Sequence, residues 1–272
     1  MSSNKKLLMI ALEEEMRGES LYAIPGTHSW TCPTGVTSVS VVCVGGGGAG
    51  KGGGGGLGYK NNYSVTPGNS YTVVVGKGGT YTATQSPTQG SNYGQESYFV
   101  NNTTVKGGGG YPGYYYATGG SYTGDGGGNG GNGGYGGGGA GGYSGNGGNS
   151  DKSGVTATAG SGGGGGGAKE ANRSAGGGVG LFGQGSNGAV ALTTSSAYIY
   201  ASRGAQGGSG GEDAYRQFPS GTTSDQDQPP APVFGAGGGT DSTEGAHGGN
   251  GAVRIIWPGD TRTFPSTDVD TP

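Results

Sequence analysis

Asn129-Gly130-Gly131-Asn132-Gly133-Gly134-Tyr135 places one side chain at every third position, with two glycines between. A period of three belongs to the polyproline II helix, which rises about 3.1 Å per residue and makes no internal hydrogen bonds. Each N–H and C=O of such a segment must find a partner elsewhere. Proline is absent from Gly113 to Gln217, which excludes a collagen triple helix. Polyglycine II fits instead: bare backbones approach closely, exchange N–H···O=C bonds and add weak Cα–H···O contacts. Asn and Tyr at the third positions are then expected to face outward or to edge the layer.

Glycine occupies 74 of the 272 positions, with runs at Gly45 to Gly48, Gly52 to Gly56, Gly107 to Gly110 and Gly162 to Gly167. Gly plus Pro near one third of a chain ordinarily marks a low-complexity or disordered protein. Two observations oppose that reading. Net charge is only −3, so self-repulsion does not hold the chain open. Segments on both sides of the glycine region are also rich in Val, Ile, Tyr and Trp in strand-like order. The expectation is an ordered domain with an interior of glycine backbone.

Outward from the glycine block, Trp30 precedes a Pro33-Thr34-Gly35 turn, and Val36 to Val44 reads as a strand. Tyr59 to Val65 and Tyr71 to Val75 flank Pro67-Gly68-Asn69, a hairpin signal. Ser97 to Val100 and Thr103 to Lys106 flank Asn101-Asn102, a second one. Ala197 to Ser202 and Ala252 to Trp257 read as two late strands, and the tail after Pro258 has no strand pattern. Ser2 or Ser3 can cap a helix from Asn4 to Met16, with Leu8, Leu12 and Met16 in one apolar stripe. A helix that short needs a surface to lie on, either this chain's own sheet or another protein.

The expected fold is mainly β: a small β-sandwich-like base, an inserted layer of packed polyglycine II helices and a short N-terminal α-helix. The expected organisation is an attachment segment at 1–24, a β-rich base at 25–106 and a glycine-rich region at 107–211. An exposed loop and closing strand follow at 212–260, then a tail at 261–272.

Composition narrows the function. Six arginines, no basic run and a negative net charge leave no phosphate-tracking surface, so nucleic acid is not an expected partner. Gly45 to Lys51 has the G-x-x-x-x-G-K spacing, but position 52 is Gly rather than Ser or Thr. The glycines that follow cannot begin the helix a phosphate-binding loop requires. His28 and His247 have no Cys or second His at ligand spacing, and the acidic pairs Glu212-Asp213 and Asp225/Asp227 lie in polar stretches. No catalysis, cofactor or metal is expected, with Asp241, Glu244 and His247 a weak divalent-ion candidate. Cys32 and Cys43 are expected as buried thiols, although a disulfide between them stays open. No stretch is long enough to span a bilayer, and Met1 to Leu12 makes a poor signal peptide because Glu13 to Glu15 occupy the cleavage region. Assembly inside a cell without membrane insertion is the expectation.

Tyrosine is abundant, with 17 residues against five Phe. Tyr111, Tyr114, Tyr115, Tyr116 and Tyr122 cluster in one stretch with Ser, Gly and Thr. That composition suits recognition loops, because Tyr offers rigid amphipathic area at low entropy cost. The competing reading makes these rings lids on the edge of the glycine layer. A second candidate loop runs from Glu212 to Phe234, with Tyr215, Arg216 and Phe218 ahead of Pro229, Pro230 and Pro232.

Three signatures carry a resemblance. Trp30-Thr31-Cys32-Pro33-Thr34-Gly35-Val36 through Val42, followed by Gly45 to Gly48, resembles the opening of the glycine-rich domain of phage virion and tail-fibre proteins. Tyr63 to Gly76 is similar to its next signature, and Gly248 to Gly259 to its closing strand. Together they bracket about residues 25 to 260. The resemblance implies a virion component assembled in the host cytoplasm, often at a tail fibre or its tip. In the related tip adhesins of T-even-like phages, packed polyglycine II helices present variable loops to a bacterial surface receptor. This chain lacks the Trp-rich attachment segment those adhesins carry, and the Asn4 to Met16 helix is the substitute candidate.

The leading expectation is therefore a non-enzymatic tail-fibre or tail adhesin, multicopy or homo-oligomeric. It would contact other virion proteins and a host outer-surface glycan or outer-membrane protein. The alternative is a purely architectural virion subunit or an extracellular filament subunit. An ice-binding glycine bundle ranks third, since the Tyr-rich loops offer no flat repetitive face.

Overall fold

The computed structural model describes residues 17–81, 92–113, 116–169, 175–191, 205, 207–211, 234–239 and 247–265. The helix expected over Asn4–Met16, with Leu8, Leu12 and Met16, lies outside the described residues, as does the strand expected over Ala197–Ser202. Among the described residues there is no α-helix.

Ten strands form: β1 (Gly18–Tyr22), β2 (Gly26–Thr31), β3 (Ser38–Val44), β4 (Leu57–Ser64), β5 (Ser70–Val75), β6 (Ser97–Phe99), β7 (Val105–Gly107), β8 (Tyr122–Thr123), β9 (Gly126–Gly128) and β10 (Ala252–Trp257). They make two five-stranded antiparallel sheets, ordered β1-β10-β3-β4-β9 and β2-β5-β6-β7-β8. The mainly-β, sandwich-like layout is thus present.

Burial on both faces explains the unbroken apolar run Val41 to Val44 of β3. Val39, Val41 and Cys43 face the second sheet, packed with Trp30, Val73, Val75, Phe99, Val253 and Ile255. Val42 and Val44 face the other way, against Leu57, Ala140, Tyr143, Val179, Leu181 and Phe234. A strand covered on both faces needs no solvent-facing polar side, and its one buried hydroxyl, Ser40, donates to Gly259 O. Both cysteines are buried free thiols, and burial pushes each thiol pKa up.

Two turns differ from expectation in instructive ways. Pro67-Gly68-Asn69 does make a tight turn, with Gly68 at φ 81° and the Asn69 N–H donating to Thr66 O. It joins no hairpin, however: β4 pairs with β3 and β9, while β5 pairs with β2 and β6. The turn carries the chain from one sheet to the other, because each strand's apolar face already has its partner across the sandwich. At the second turn, Asn101 Oδ1 accepts from the N–H groups of Thr103 and Thr104, which lengthens the loop and ends β6 at Phe99. The chain after β10 is not a loose tail at first. Arg262 Nη1 donates to Gly18 O and Trp257 O, and Phe264 is buried against Tyr59 and Tyr143.

Strands pass directly into glycine runs. Along Gly45 to Ala49, successive N–H groups donate to Gly56, Gln95, Gly249, Gly53 and Asn92, so every third residue returns to the same neighbour. Along Gly52 to Gly56 the acceptors are Gly238, Tyr111, Gly131, Gly235 and Gly108, again with period three. Gly138 to Gly142 repeat it through Gly52, Gly148, Gly177, Gly55 and Gly145. Two of the three directions out of Gly45–Ala49 continue the sheet of β3. The third, Gly46 to Gln95, crosses to the extension of β6 in the opposite sheet. Sandwich sheets stand about 10 Å apart because side chains fill the gap. Where side chains cease, the two layers close into direct hydrogen-bonding contact. A methyl group at Gly54 would overlap Gly139 O, and one at Gly47 would overlap Ala236 O.

Candidate functional site

The hydrogen bonds between glycine runs give each run a direction. Gly45 N–H reaches Gly56 O and Gly48 N–H reaches Gly53 O, so the chain leaves the sheets at Val44, reverses, and re-enters at Leu57. The reversal sits at Gly50 and Lys51, both with positive φ of 53° and 61°. The G-x-x-x-x-G-K stretch is therefore a tight turn between two glycine runs, with no helix for a phosphate to sit on. The same register places 80–81, 111–113 with 116–117, 133–136, 151–155, 238–239 and 247 at this far end, here called the tip. Gly18 pairs with Trp257 at the opposite end, the base, and Arg262 is tied to Gly18 there.

Tyr111 and Tyr116 lie at the tip. Tyr111 is 51% exposed, its N–H bonded to Thr118 O, and its ring meets Tyr93 edge-on at a centroid distance of 5.4 Å. Tyr116 is 76% exposed, with Lys152 Nζ 5.1 Å from the ring centroid. Lys152 is fixed by a reciprocal backbone pair with Val155, beside the Ala117–Gly133 bridge. Tyr81 packs its ring against Gly50, and its N–H donates to His247 Nδ1. Tyr93, Tyr81 and Lys152 were not anticipated as site residues. Their signal was positional, since Tyr81 and Tyr93 bound a glycine-poor stretch between two glycine runs.

Tyr122 does not join them. It stands in β8, paired with Gly107 at the sheet end of the molecule. Beside it, burial first and then nearby Asp125 and Tyr122 push the Tyr59 hydroxyl pKa up. Burial also acts to raise the Asp125 carboxyl, but the Lys60 ammonium and the Asn61 N–H prevail and hold it below the usual carboxylate range. Tyr114, Tyr115, Tyr215, Arg216, Phe218, Asp241 and Glu244 lie outside the described residues. The flanks of the second candidate loop are described on its far side: Phe234 is buried with Val42, Val44 and Leu57, next to the sheets rather than the tip.

Comparison with curated proteins gives no match. The strands that open and close the sandwich, together with the glycine runs growing from them, fall inside the stretch 23–258 that a glycine-rich domain model matches. The chain belongs to the glycine-rich domain family.

Proposed function

We propose that this chain is a non-enzymatic phage structural protein, a tail-fibre or tail adhesin whose glycine region is a bundle of polyglycine II helices. The three-direction hydrogen bonding supports the helix assignment. A segment with three residues per turn aims successive N–H groups at three neighbours and returns to the first at the fourth residue. The observation that carries the functional reading is polarity. Gly18 and Trp257 sit at the base, while exposed Tyr111 and Tyr116 sit on connections at the other end of the stack. A receptor-facing tip and a particle-facing base are what an adhesin requires. Weak contacts by each copy would be multiplied by several copies on one particle.

The test is adsorption to host cells by particles carrying Tyr111→Ala and Tyr116→Ala together. Adsorption should fall about ten-fold or more, with particle yield and composition unchanged. Unchanged adsorption would remove the tip as the receptor site and favour an architectural subunit. Mass spectrometry of purified virions decides the virion assignment separately.

A further inference from the structure

One side of the glycine bundle, adjoining the tip through Gly133 and Asp151, carries a regular polar grid. Segments 129–132, 146–149 and 158–161 lie side by side, each with side chains three residues apart: Asn129 and Asn132, Asn146 and Asn149, Thr158 and Ser161. All six are exposed. They form two rows across the segments. In one, the Asn132 N–H donates to Asn149 Oδ1 at 2.8 Å, and the Asn149 N–H to Thr158 Oγ1 at 2.9 Å. In the other, the Asn129 N–H donates to Asn146 Oδ1 at 3.0 Å, and Ser161 Oγ to Asn146 O at 3.0 Å. Backbone bonds from Gly147 to Asn129, Ser150 to Asn132, Thr158 to Asn149 and Ser161 to Asn146 hold the three segments in register.

The chemistry of this face follows from what those bonds use and leave. An edge segment has an outward N–H with no further backbone to meet, and the neighbouring amide oxygen satisfies it. Each accepting asparagine is thereby locked in one orientation. Among the described residues, the Nδ2 groups of Asn129, Asn132, Asn146 and Asn149 have no partner, and they are left as donors at the surface, two in each row. Neighbouring positions across a row are about 4.8 Å apart, the spacing of hydrogen-bonded chains. Positions along a segment are about 9–10 Å apart. No charged side chain belongs to the grid. A rigid, neutral set of donors loses little entropy on binding and prefers a neutral partner with acceptors at a matching repeat.

We propose that this face binds a neutral, extended β-linked polysaccharide, laid across the segments so that successive sugar units meet successive positions of a row. Such a chain is extended and repeats one unit at a time, as a row repeats one segment at a time. Its hydroxyl and ring oxygens accept from the amide groups. The grid includes neither Tyr111 nor Tyr116, and the proposal does not rest on a receptor at the tip.

The test is depletion of the full-length chain from solution by washed microcrystalline cellulose and by chitin. Retention by one of them is expected. The Asn132→Asp/Asn149→Asp variant keeps the oxygens that accept from Gly119 and Asn132 but loses the outward donors. It should bind about ten-fold more weakly or less, with an unchanged thermal transition. As a measurement that needs no variant, amide chemical shifts with soluble cellohexaose or chitohexaose should move at 129–132, 146–149 and 158–161. Absence of retention on both solids, equal retention of the variant, or shifts confined to 111–117, 133–136 and 151–155 would overturn the proposal. So would thermal hysteresis in ice-growth assays without polysaccharide binding, which would assign the grid to ice.

Discussion

Gly54 and Gly68 show two different reasons for a glycine in this chain. At Gly68 there is open space around the missing side chain, but φ is 81°, which L residues adopt at a cost of about 1 kcal/mol. At Gly54 the dihedral is ordinary for any residue, and the obstacle is Gly139 O, which a methyl group would overlap. That oxygen belongs to backbone held on its own far side by further hydrogen bonds, so it cannot yield locally. Gly54→Ala should therefore cost about 3 kcal/mol and Gly68→Ala about 1 kcal/mol. For a chain of this size the first corresponds to a fall in Tm of about 5–6 °C. Differential scanning calorimetry of the two variants checks this. Equal, small shifts would mean that the glycine runs are not in direct backbone contact.

The strands show which local signals survive into three dimensions. β3 was legible because a valine run bounded by a Pro-Thr-Gly turn and a glycine run has few other homes, and β10 for the same reason. The Pro67–Asn69 turn was legible as a turn but not as a sheet-to-sheet crossing, because the partner of a strand is chosen by long-range packing that turn chemistry does not encode. β1 escaped notice. Gly18-Glu19-Ser20-Leu21-Tyr22 has weak strand character, and what holds it is distant: Glu19 pairs with Arg254 of β10, which also donates to Leu181 O and lies over the Phe182 ring. The period of three at Asn129 to Tyr135 foretold edge positions for the asparagines. It did not foretell that they would line up with Asn146 and Asn149, which depends on how segments neighbour one another. Of the tyrosines, Tyr111 and Tyr116 share the tip and Tyr122 does not, because β8 holds it beside Gly107 in the sheet. The buried Arg254 makes β1 testable as an element. Glu19→Ala leaves a fully buried guanidinium without its carboxylate and should cost about 3 kcal/mol in urea unfolding. Adding Arg254→Met to Glu19→Ala should restore most of that stability. Additive losses in the double variant would show that β1 is held by its ladder alone.

At the level of the whole molecule, the sandwich and the glycine bundle solve one problem together. Ordering a glycine costs about 1–2 kcal/mol of backbone entropy or more, while one backbone hydrogen bond returns about 0.5–1.5 kcal/mol net. Cα–H···O contacts add about 0.5–1 kcal/mol each at close approach. A glycine segment surrounded on three sides is thus near balance by itself, and it needs its neighbours already aligned. The sheets supply that alignment, since runs 45–49, 52–56, 76–79, 94–95, 108–111 and 247–251 each continue a strand whose register is set by apolar packing. Interior runs such as 137–142 have no strand at either end, and they are held by contact with runs that do. Order therefore propagates outward from the sandwich, and the bundle and the sandwich should open as one cooperative unit. Native-state hydrogen exchange measures this directly. The amides of Gly53 to Gly56 and Gly138 to Gly141 should exchange with the same opening free energy as those of Val41 to Val44. Gly54→Ala should lower all three sets by the same amount. Exchange of the glycine amides within minutes, with Val41 to Val44 still protected, would mean that the bundle opens apart from the sheets, leaving the tip without a rigid support.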